Sequence, residues 1–267
     1  MARIAVAATA PFGADVLERL AKRHEVVTVL TRPDAPRGRG RRLASPPAKL
    51  VAEKLQIPVL QPERLGGDLC LHSQHLDAVV VVAYGLLIPE SALAGPLWLN
   101  VHPSLLPRWR GAAPVERAIM AGDEETGVTI HETVKELDAG PIAAQQVFPI
   151  GPDEDAGAVF ARAAEVAAEL LGDALPNPEF RAQPEAGITY AEKITSADRE
   201  LDLTRPAVEV HNHVRALSPH IGARATIDGR RVMIWKTRVV DGNLELLEVQ
   251  PEGRRRMTYA DYLRGLR

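Results

Sequence analysis

The spacing of apolar residues in the first half of the chain predicts an α/β domain. Short apolar runs typical of buried strands alternate with segments whose apolar side chains recur at helical spacing. The valine run at 79–82 suits a parallel strand that is covered on both faces. We therefore expect a Rossmann-like, mainly parallel sheet with helices on both faces. The expected strands are 3–8, 24–30, 57–62, 77–85 and 97–102, with helices at 15–23, 48–55 and 113–121.

The second half of the chain has a different pattern. Residues 127–134 alternate between apolar and polar, which predicts a half-exposed strand on which His131 is exposed, and 142–150 is the strand that returns. A helix is expected at 158–171, and the prolines after it indicate a linker. Beyond the linker, a helix precedes three strands joined by Asp-Gly turns, which predicts a small β-barrel. The expected domains are 1–180 and 201–267, joined by a linker at 181–200.

Composition indicates an ordinary globular chain. Its 267 residues are 46% hydrophobic and 25% charged, which is enough for a sizeable core. No apolar run approaches the roughly 20 residues of a membrane span, and the first residues lack the apolar region of a secretory signal peptide. The single cysteine, Cys70, excludes an intramolecular disulfide and fits a reducing compartment. We expect a cytoplasmic protein without a membrane partner, in which Cys70 is a packing residue.

Missing motifs exclude two classes of function. The turn after the first strand, at 8–13, does not have the form G-x-G-x-x-G, so the dinucleotide fingerprint of nicotinamide and flavin oxidoreductases is absent. His211 and His213 lie two apart on an expected helix and therefore face different directions. With no H-E-x-x-H and no cysteine-rich segment, we expect no bound metal.

Positive charge is concentrated in two segments, although the chain has a net charge of −3. Residues 31–42 hold five arginines against one aspartate, and 252–267 hold five arginines against two acids. Two prolines and two glycines in the first segment argue against regular structure, so we expect an exposed, flexible basic loop. Patches of this kind can bind a polyanion locally.

The strongest chemical signal lies where the fifth expected strand ends. Asn100 and His102 are two residues apart, so their side chains point to the same face of the strand. Pro103 has no backbone N–H, and it ends the strand there. Ligands bind at the carboxyl ends of strands in open α/β sheets, which makes this amide and imidazole candidate catalytic groups.

The longer string around these residues resembles a known family. Residues 100–114 have the sequence N-V-H-P-S-L-L-P-R-W-R-G-A-A-P, which resembles the signature of the formyltransferases that use 10-formyltetrahydrofolate. The R-W-R-G-A-A-P part resembles the methionyl-tRNA formyltransferases in particular. The segment L-D-A-G at 137–140 is similar to the family's L-D-x-G, and T-Y-A-E-K-I at 189–194 to its T-Y-A-x-K-(L/I). The resemblance covers nearly the whole chain.

The resemblance implies roles for individual residues, and it makes the second domain OB-like. The implied catalytic residues are Asn100, His102 and Asp138. The implied folate-binding segment is Ser104, Leu105, Leu106 and Pro107, with Tyr84, Leu86, Leu87 and Ile88 as candidate walls of a pterin pocket or, equally, plain core. The implied tRNA-binding residues are Arg37, Arg39, Arg41 and Arg42, in a loop similar to the family's P-x-G-R-G-(K/R)-(K/R).

The chain departs from the family pattern at two places. Pro141 follows the L-D-A-G segment, where methionyl-tRNA formyltransferases often have Asp, and this change leaves the carboxylate of Asp138 untouched. The segment after Gly242 is markedly shorter than in the family, so we expect a shortened OB-like barrel.

The function implied is transfer of the formyl group of 10-formyltetrahydrofolate to the α-amine of initiator methionyl-tRNA, for translation initiation. The first alternative is a formyltransferase that acts on a nucleotide-linked amino sugar or on glycinamide ribonucleotide. Such enzymes share the Asn, His and Asp but lack the basic loop together with R-W-R-G-A-A-P. The second alternative is a catalytically silent tRNA-binding homologue, against which the intact Asn100, His102 and Asp138 argue.

Overall fold

The computed structural model describes residues 1–37, 42–66 and 75–266. The chain divides into two compact units, each assembled from separated stretches of sequence. The first unit comprises Met1–Arg110, Gly127–Val147 and Ala161–Thr189, and the second comprises Gly111–Thr126, Phe148–Phe160 and Tyr190–Arg267. The continuous boundaries at 1–180, 181–200 and 201–267 stay a prediction.

Strands and helices alternate through much of the described chain. The strands are β1 (Arg3–Ala8), β2 (Glu25–Leu30), β3 (Ala35–Arg37), β4 (Arg42–Ala44), β5 (Val59–Leu60), β6 (Ala78–Val82), β7 (Trp98–His102), β8 (Arg110–Gly111), β9 (Glu125–Glu132), β10 (Ile142–Pro149), β11 (Tyr190–Ala191), β12 (Ala223–Ile227), β13 (Arg230–Val240), β14 (Asn243–Pro251) and β15 (Met257–Thr258). The helices are α1 (Pro11–Leu20), α2 (Pro47–Lys54), α3 (Glu90–Leu93), α4 (Pro114–Ala121), α5 (Ala156–Ala174), α6 (Ala207–Leu217) and α7 (Tyr259–Arg264). None of the described helices combines the length and apolar character needed to cross a membrane.

The described part of the first unit is built on a seven-stranded sheet with the order β10-β9-β7-β6-β1-β2-β5. β1 pairs in parallel with β2 and β6, β2 with β5, and β6 with β7, whereas β9 runs antiparallel to β7. β6 is buried along its whole length, as a valine run covered on both faces requires. The predicted Rossmann-like, mainly parallel sheet is confirmed.

Helix α1 follows β1 directly and packs on β1 and β6. Its apolar residues Val16, Leu17 and Leu20 are fully buried, at a spacing that places them on one face. At Gly13 the helix approaches β6 so closely that a Cβ would lie 2.5 Å from the carbonyl oxygen of Val82. The contact between helix and sheet therefore depends on the absence of a side chain at this position.

Part of the basic segment after β2 is regular, and here the prediction of an irregular loop is wrong. β3 and β4 form a small antiparallel hairpin in which Pro36 pairs with Leu43. Each strand of a two-stranded ribbon has an unpaired edge, so a proline without an N–H is tolerated there. Asp34 anchors the hairpin by accepting a hydrogen bond from Lys49 Nζ at 2.8 Å, and this bond lowers the pKa of the Asp34 carboxyl. Residues 38–41 lie outside the described residues.

Strand β9 is buried, so the prediction of a half-exposed strand is wrong. The six residues from Thr126 to His131 are all buried. The strand lies between β7 and β10 in the sheet, which covers both of its edges. Its polar side chains Thr129 and His131 have partners inside the protein, so alternation along β9 separates two buried faces instead of a buried face from a solvated one.

The second unit contains an antiparallel sheet with the order β12-β13-β14-β15, against which α6 and α7 pack. Val214 and Leu217 of α6 join Ile234 and Val249 of the sheet in one apolar core. Both predicted Asp-Gly turns are present, with positive φ at the aspartate and at the glycine, as two-residue hairpin turns require. In the described residues this sheet is an open meander, with β12 at one edge and β15 at the other.

The close approach at Gly13 gives a stability prediction. Gly13→Ala places a methyl group against the backbone of β6 and lowers the free energy of unfolding by about 1–3 kcal/mol, as overpacking does. Gly66→Ala is the matched control, because a Cβ there meets no atom of the described residues within 4 Å. Urea unfolding of both variants measures the difference, and equal midpoints would contradict the close packing of α1 on β6.

Candidate active site

Two candidate catalytic side chains lie next to each other at the end of β7. Asn100 and His102 are two residues apart on a strand flanked by β6 and β9, so they share one face. The chain turns sharply after them, because Ser104 N donates a hydrogen bond to the carbonyl oxygen of His102 at 2.9 Å. His102 is 4% exposed, so the state of its imidazole is set by protein partners.

Asp138 reaches the same place from the loop between β9 and β10. Its Oδ1 accepts a hydrogen bond from Asn100 Nδ2 at 3.2 Å, and its Oδ2 lies 3.6 Å from His102 Nδ1. The loop packs tightly against β9, since a Cβ on Gly140 would lie 1.8 Å from the carbonyl oxygen of Glu132. The three residues singled out in the sequence are therefore in contact, although Asp138 is distant from the other two along the chain.

His131 is a fourth member of the cluster, and the prediction that it is exposed is wrong. It is 2% exposed, and it lies opposite Asn100 in the pairing of β7 with β9. His131 Nδ1 donates to the carbonyl oxygen of Glu132 at 2.8 Å, which leaves Nε2 free to accept from Asn100 Nδ2 at 3.0 Å. Its Nε2 is also 3.6 Å from Asp138 Oδ1. The feature that could have indicated this role is the position of His131 on the strand that pairs antiparallel with β7, which carries the motif.

The hydrogen bonds of His102 fix which ring nitrogen can take up a proton. His102 Nε2 donates to the carbonyl oxygen of Trp109 at 2.8 Å, so the neutral ring carries its lone pair on Nδ1, facing Asp138. Burial lowers the pKa of His102, and the charge of Asp138 opposes that change. The imidazole is therefore neutral near pH 7, with its basic nitrogen next to a carboxylate.

Side chains of β9 and β10 hold the segment 104–107 through hydrogen bonds. Thr129 Oγ1 donates to the carbonyl oxygen of Ser104 at 2.7 Å and accepts from Leu106 N at 3.1 Å. Gln145 Nε2 donates to Thr129 Oγ1 at 2.8 Å and to the carbonyl oxygen of Leu106 at 3.0 Å. Ser104 Oγ is itself committed to the carbonyl oxygen of Arg108 at 2.7 Å. Thr129 and Gln145 thus fix this segment, and no motif pointed to either.

Most of the apolar candidates next to β6 belong to the core of the first unit. Tyr84 is 2% exposed, and burial raises the pKa of its hydroxyl to about 12. Leu86 and Ile88 are partly buried and pack on the same cluster, which includes Trp98 of β7. Leu87, by contrast, is 86% exposed. Three of the four proposed wall residues are therefore core residues, and they belong to one cluster with the strand that carries Asn100 and His102.

Only two of the four basic candidates, Arg37 and Arg42, lie among the described residues. Arg42 is exposed on β4, and Arg37 belongs to β3, whereas Arg39 and Arg41 lie outside the described residues, as does Cys70. Within the described ranges, no group of three or more His, Cys, Asp or Glu side chains could hold a metal ion.

Sequence comparisons give relatives over the whole chain. The formyl transferase family matches residues 2–175, and the formyl transferase C-terminal domain matches residues 193–245. A protein of Halorhodospira halophila named methionyl-tRNA formyltransferase is 40% identical over 302 aligned positions, covering 100% of this chain and 97% of the relative. A protein of the same name from Paracoccus denitrificans is 39% identical, covering 99% of this chain and 97% of its own length.

Solved structures share the fold. A methionyl-tRNA formyltransferase from Clostridium thermocellum superposes with a TM-score of 0.66 at 13% identity, covering 94% of this chain and 99% of that one. An N-formyltransferase from Helicobacter canadensis, solved with folinic acid and dTDP-3-aminofucose, gives a TM-score of 0.68 at 17% identity, covering 97% and 99%. With two domain matches and full-length relatives near 40% identity, the chain belongs to the formyl transferase family, among relatives named methionyl-tRNA formyltransferase.

Proposed function

We propose that this enzyme transfers the formyl group of 10-formyltetrahydrofolate to the α-amine of initiator methionyl-tRNA. The observation that carries the proposal is the contact between Asn100, His102 and Asp138 at the end of β7. It occurs in a chain that aligns over its full length with relatives named methionyl-tRNA formyltransferase. The test is whether the purified protein formylates charged initiator tRNA when it is given 10-formyltetrahydrofolate.

The reaction sets three tasks for the site. A fraction of the α-amine is the neutral nucleophile near pH 7, because α-amino pKa values lie near ~7.7–8.0, within about one unit of that pH. Its attack on the formyl carbon creates an oxyanion and a cationic nitrogen, and the departing folate nitrogen needs a proton. A donor must stabilise the oxyanion, a base must take up a proton, and a charge must stabilise that base. No nucleophilic side chain is required.

Asn100 can supply the oxyanion donor. Its Nδ2 donates to His131 Nε2 at 3.0 Å and to Asp138 Oδ1 at 3.2 Å, so both N–H groups are in use. Hydrogen bonds to charged groups are stronger than those between neutral groups. A developing oxyanion therefore displaces the lone pair of His131 Nε2 as acceptor more readily than it displaces the Asp138 carboxylate.

His102 and Asp138 together can accept and return the proton. Because His102 Nε2 is bonded to the Trp109 carbonyl, the incoming proton binds at Nδ1, which lies 3.6 Å from the carboxylate. The resulting imidazolium is stabilised by Asp138, and a water held at the carboxylate can carry the proton from the amine to the leaving nitrogen. General acid–base help of this kind contributes about 10²–10⁴ to the rate.

The folate-binding role of 104–107 is supported by how firmly the segment is held. Thr129 and Gln145 hold its backbone through hydrogen bonds, next to His102. Leu86 and Ile88, which are only partly buried, pack on the cluster that includes Trp98 of β7, the strand that leads into this segment. The Helicobacter canadensis structure contains folinic acid, which makes a folate-derived donor the appropriate class for this fold. We assign the donor as the 10-formyl form.

The acceptor is assigned to tRNA and not to an amino sugar. The full-length relatives near 40% identity that are described above are both named for methionyl-tRNA. The basic segment with Arg37, Arg39, Arg41 and Arg42 supplies positive charge that a polyanionic acceptor can use. An assay with a dTDP-linked amino sugar in place of charged tRNA separates the two acceptors.

The Asp138 carboxylate gives the first kinetic prediction. Asp138→Asn lowers kcat about tenfold to a thousandfold with little change in folding, because it removes the charge that stabilises the imidazolium. His102→Ala causes a loss of similar size. Since Asp138 raises the pKa of His102, the acid limb of the residual pH–rate profile of Asp138→Asn moves to lower pH. Asp173→Asn, an exposed site on α5, is the control. An unchanged kcat in either variant places the chemistry elsewhere.

Thr129→Val tests the folate-binding segment. Valine keeps the shape but loses the bonds to the backbone of Ser104 and Leu106, so KM for the formyl donor rises about threefold to tenfold. KM for charged tRNA stays unchanged. Thr28→Val is the matched control, because it also removes a buried hydroxyl from the first unit, one that donates to the carbonyl oxygen of Pro58. If both variants affect only stability, the segment does not bind the donor.

The basic segment gives a prediction about salt. If Arg39 and Arg41 bind phosphates, Arg39→Ala with Arg41→Ala raises KM for charged tRNA. The slope of log affinity against log salt concentration also flattens, by roughly 0.7–0.9 for each phosphate that the variant no longer neutralises. KM for the folate stays the same. Lys22→Ala with Arg23→Ala is the control, since it removes the same charge from an exposed site elsewhere. Equal salt slopes in the wild type and the loop variant would count against tRNA as the acceptor.

A further inference from the structure

We propose that Gln183 is a positioning residue that holds Asp138 at its working distance from His102. This inference rests on the function proposed above and adds a residue to it. Gln183 lies in the proline-rich stretch expected to be a linker, and it belongs to no motif. It is half-buried, whereas the residues on both sides of it are exposed.

The amide of Gln183 uses its whole hydrogen-bonding capacity on the site. Its Nε2 donates to the carbonyl oxygens of Asp138 and Gly140, both at 2.8 Å. Its Oε1 accepts from Arg110 Nη2 at 2.7 Å and from Arg110 Nε at 3.2 Å. The two donors and the acceptor leave one orientation of the amide, because a flipped group would place its N–H groups against a guanidinium.

The loop that carries Asp138 needs such support. Asp138 has a φ of 48°, in the left-handed region that residues other than glycine rarely adopt. Its backbone sets the direction of the carboxylate, and the two bonds from Gln183 hold the carbonyl groups of the peptide units 138–139 and 140–141. Without them the strained residue has an alternative in the ordinary right-handed region, which turns the carboxylate away from His102.

Gln183 also contacts the segment that orients His102, the residue that transfers the proton together with Asp138. Arg110, which it binds through Oε1, follows Trp109, and the carbonyl oxygen of Trp109 accepts from His102 Nε2. One side chain therefore connects the backbone of Asp138 with the backbone that fixes the ring of His102. The second arginine of R-W-R-G thus has a partner within the site region, so contact with a substrate is not needed to account for it.

The segment that presents Gln183 is itself fixed. The backbone of Arg181 exchanges two hydrogen bonds with Ile142 at the start of β10, at 2.7 and 2.9 Å. These bonds place the segment alongside the strand that follows the Asp138 loop. The expected linker therefore begins as a short strand-like stretch beside the site.

The experiment compares three variants with the wild type. Gln183→Met removes every hydrogen bond of the amide at nearly constant size. Gln183→Glu keeps an acceptor for Arg110 but places a carboxylate oxygen against the carbonyl oxygens of Asp138 and Gly140. Gln146→Met is the matched control, because Gln146 is an exposed glutamine on β10. Gln183→Asn, which keeps the amide but shortens the side chain, replaces Gln183→Met if that variant does not fold.

Two readouts separate positioning from a purely structural role. The first is steady-state formylation, with kcat and both KM values measured separately. The second is the pKa of His102 in the free protein, followed by NMR of the histidine ring. The titratable groups that face this ring in the described residues are Asp138 and His131, and Asp138 raises its pKa. Displacement of the carboxylate must therefore lower that pKa, whether or not a substrate is present.

We expect Gln183→Met and Gln183→Glu to lower kcat about tenfold to a hundredfold, as small misplacements of reacting groups do, with both KM values changed less than threefold. The pKa of His102 falls in Gln183→Met, which adds no charge, and Gln146→Met matches the wild type. An unchanged pKa of His102 in Gln183→Met overturns the proposal, even if its thermal stability falls. A wild type that does not formylate methionyl-tRNA overturns the proposed function instead, and the NMR titration still decides the role of Gln183.

Discussion

The antiparallel pairing of β9 with β7 is the constraint on which the site depends. Asn100 lies opposite His131, and His102 lies opposite Thr129, so one register brings together an amide, two imidazoles and the hydroxyl that fixes the 104–107 segment. A shift of one residue would turn both polar side chains of β9 to the other face of the sheet. Because the Asp138 loop leaves from the end of β9, the same register also decides where the carboxylate returns.

This pairing is tolerated only because the polar groups it buries satisfy one another. Unpaired buried amides and charges cost several kcal/mol, on the order of the whole stability of a domain. Here the side chain of Asp138 is 10% exposed and accepts from Asn100, with His102 and His131 each 3.6 Å away. Burial lowers the pKa of His102 and the nearby carboxylate raises it. The two effects oppose each other on the imidazole that has to gain and lose a proton.

Much of this could be predicted from the sequence, for identifiable reasons. The parallel strands have continuous apolar runs, and Asn100, His102 and Asp138 lie in strings long enough to identify a family. His131 was missed because alternation shows that the two faces of a strand differ, not that one of them meets water. The β3–β4 hairpin was missed because rules for proline treat a strand in isolation. Gln183 was missed because its contacts are with backbone atoms far along the chain, which leave no local pattern.

The placement of the site also bears on the predicted shortening of the second domain. Asn100, His102, His131, Asp138 and Gln183 all belong to the first unit, whereas Gly242, after which the chain is predicted to be shortened, belongs to the second. The first unit keeps a buried polar cluster and the strained backbone of Asp138, and both cost free energy relative to an apolar, unstrained arrangement. A chain that had kept only a binding role would have no physical reason to retain them. The predicted shortening of the second domain therefore leaves the case for formyl transfer as strong as the first unit makes it.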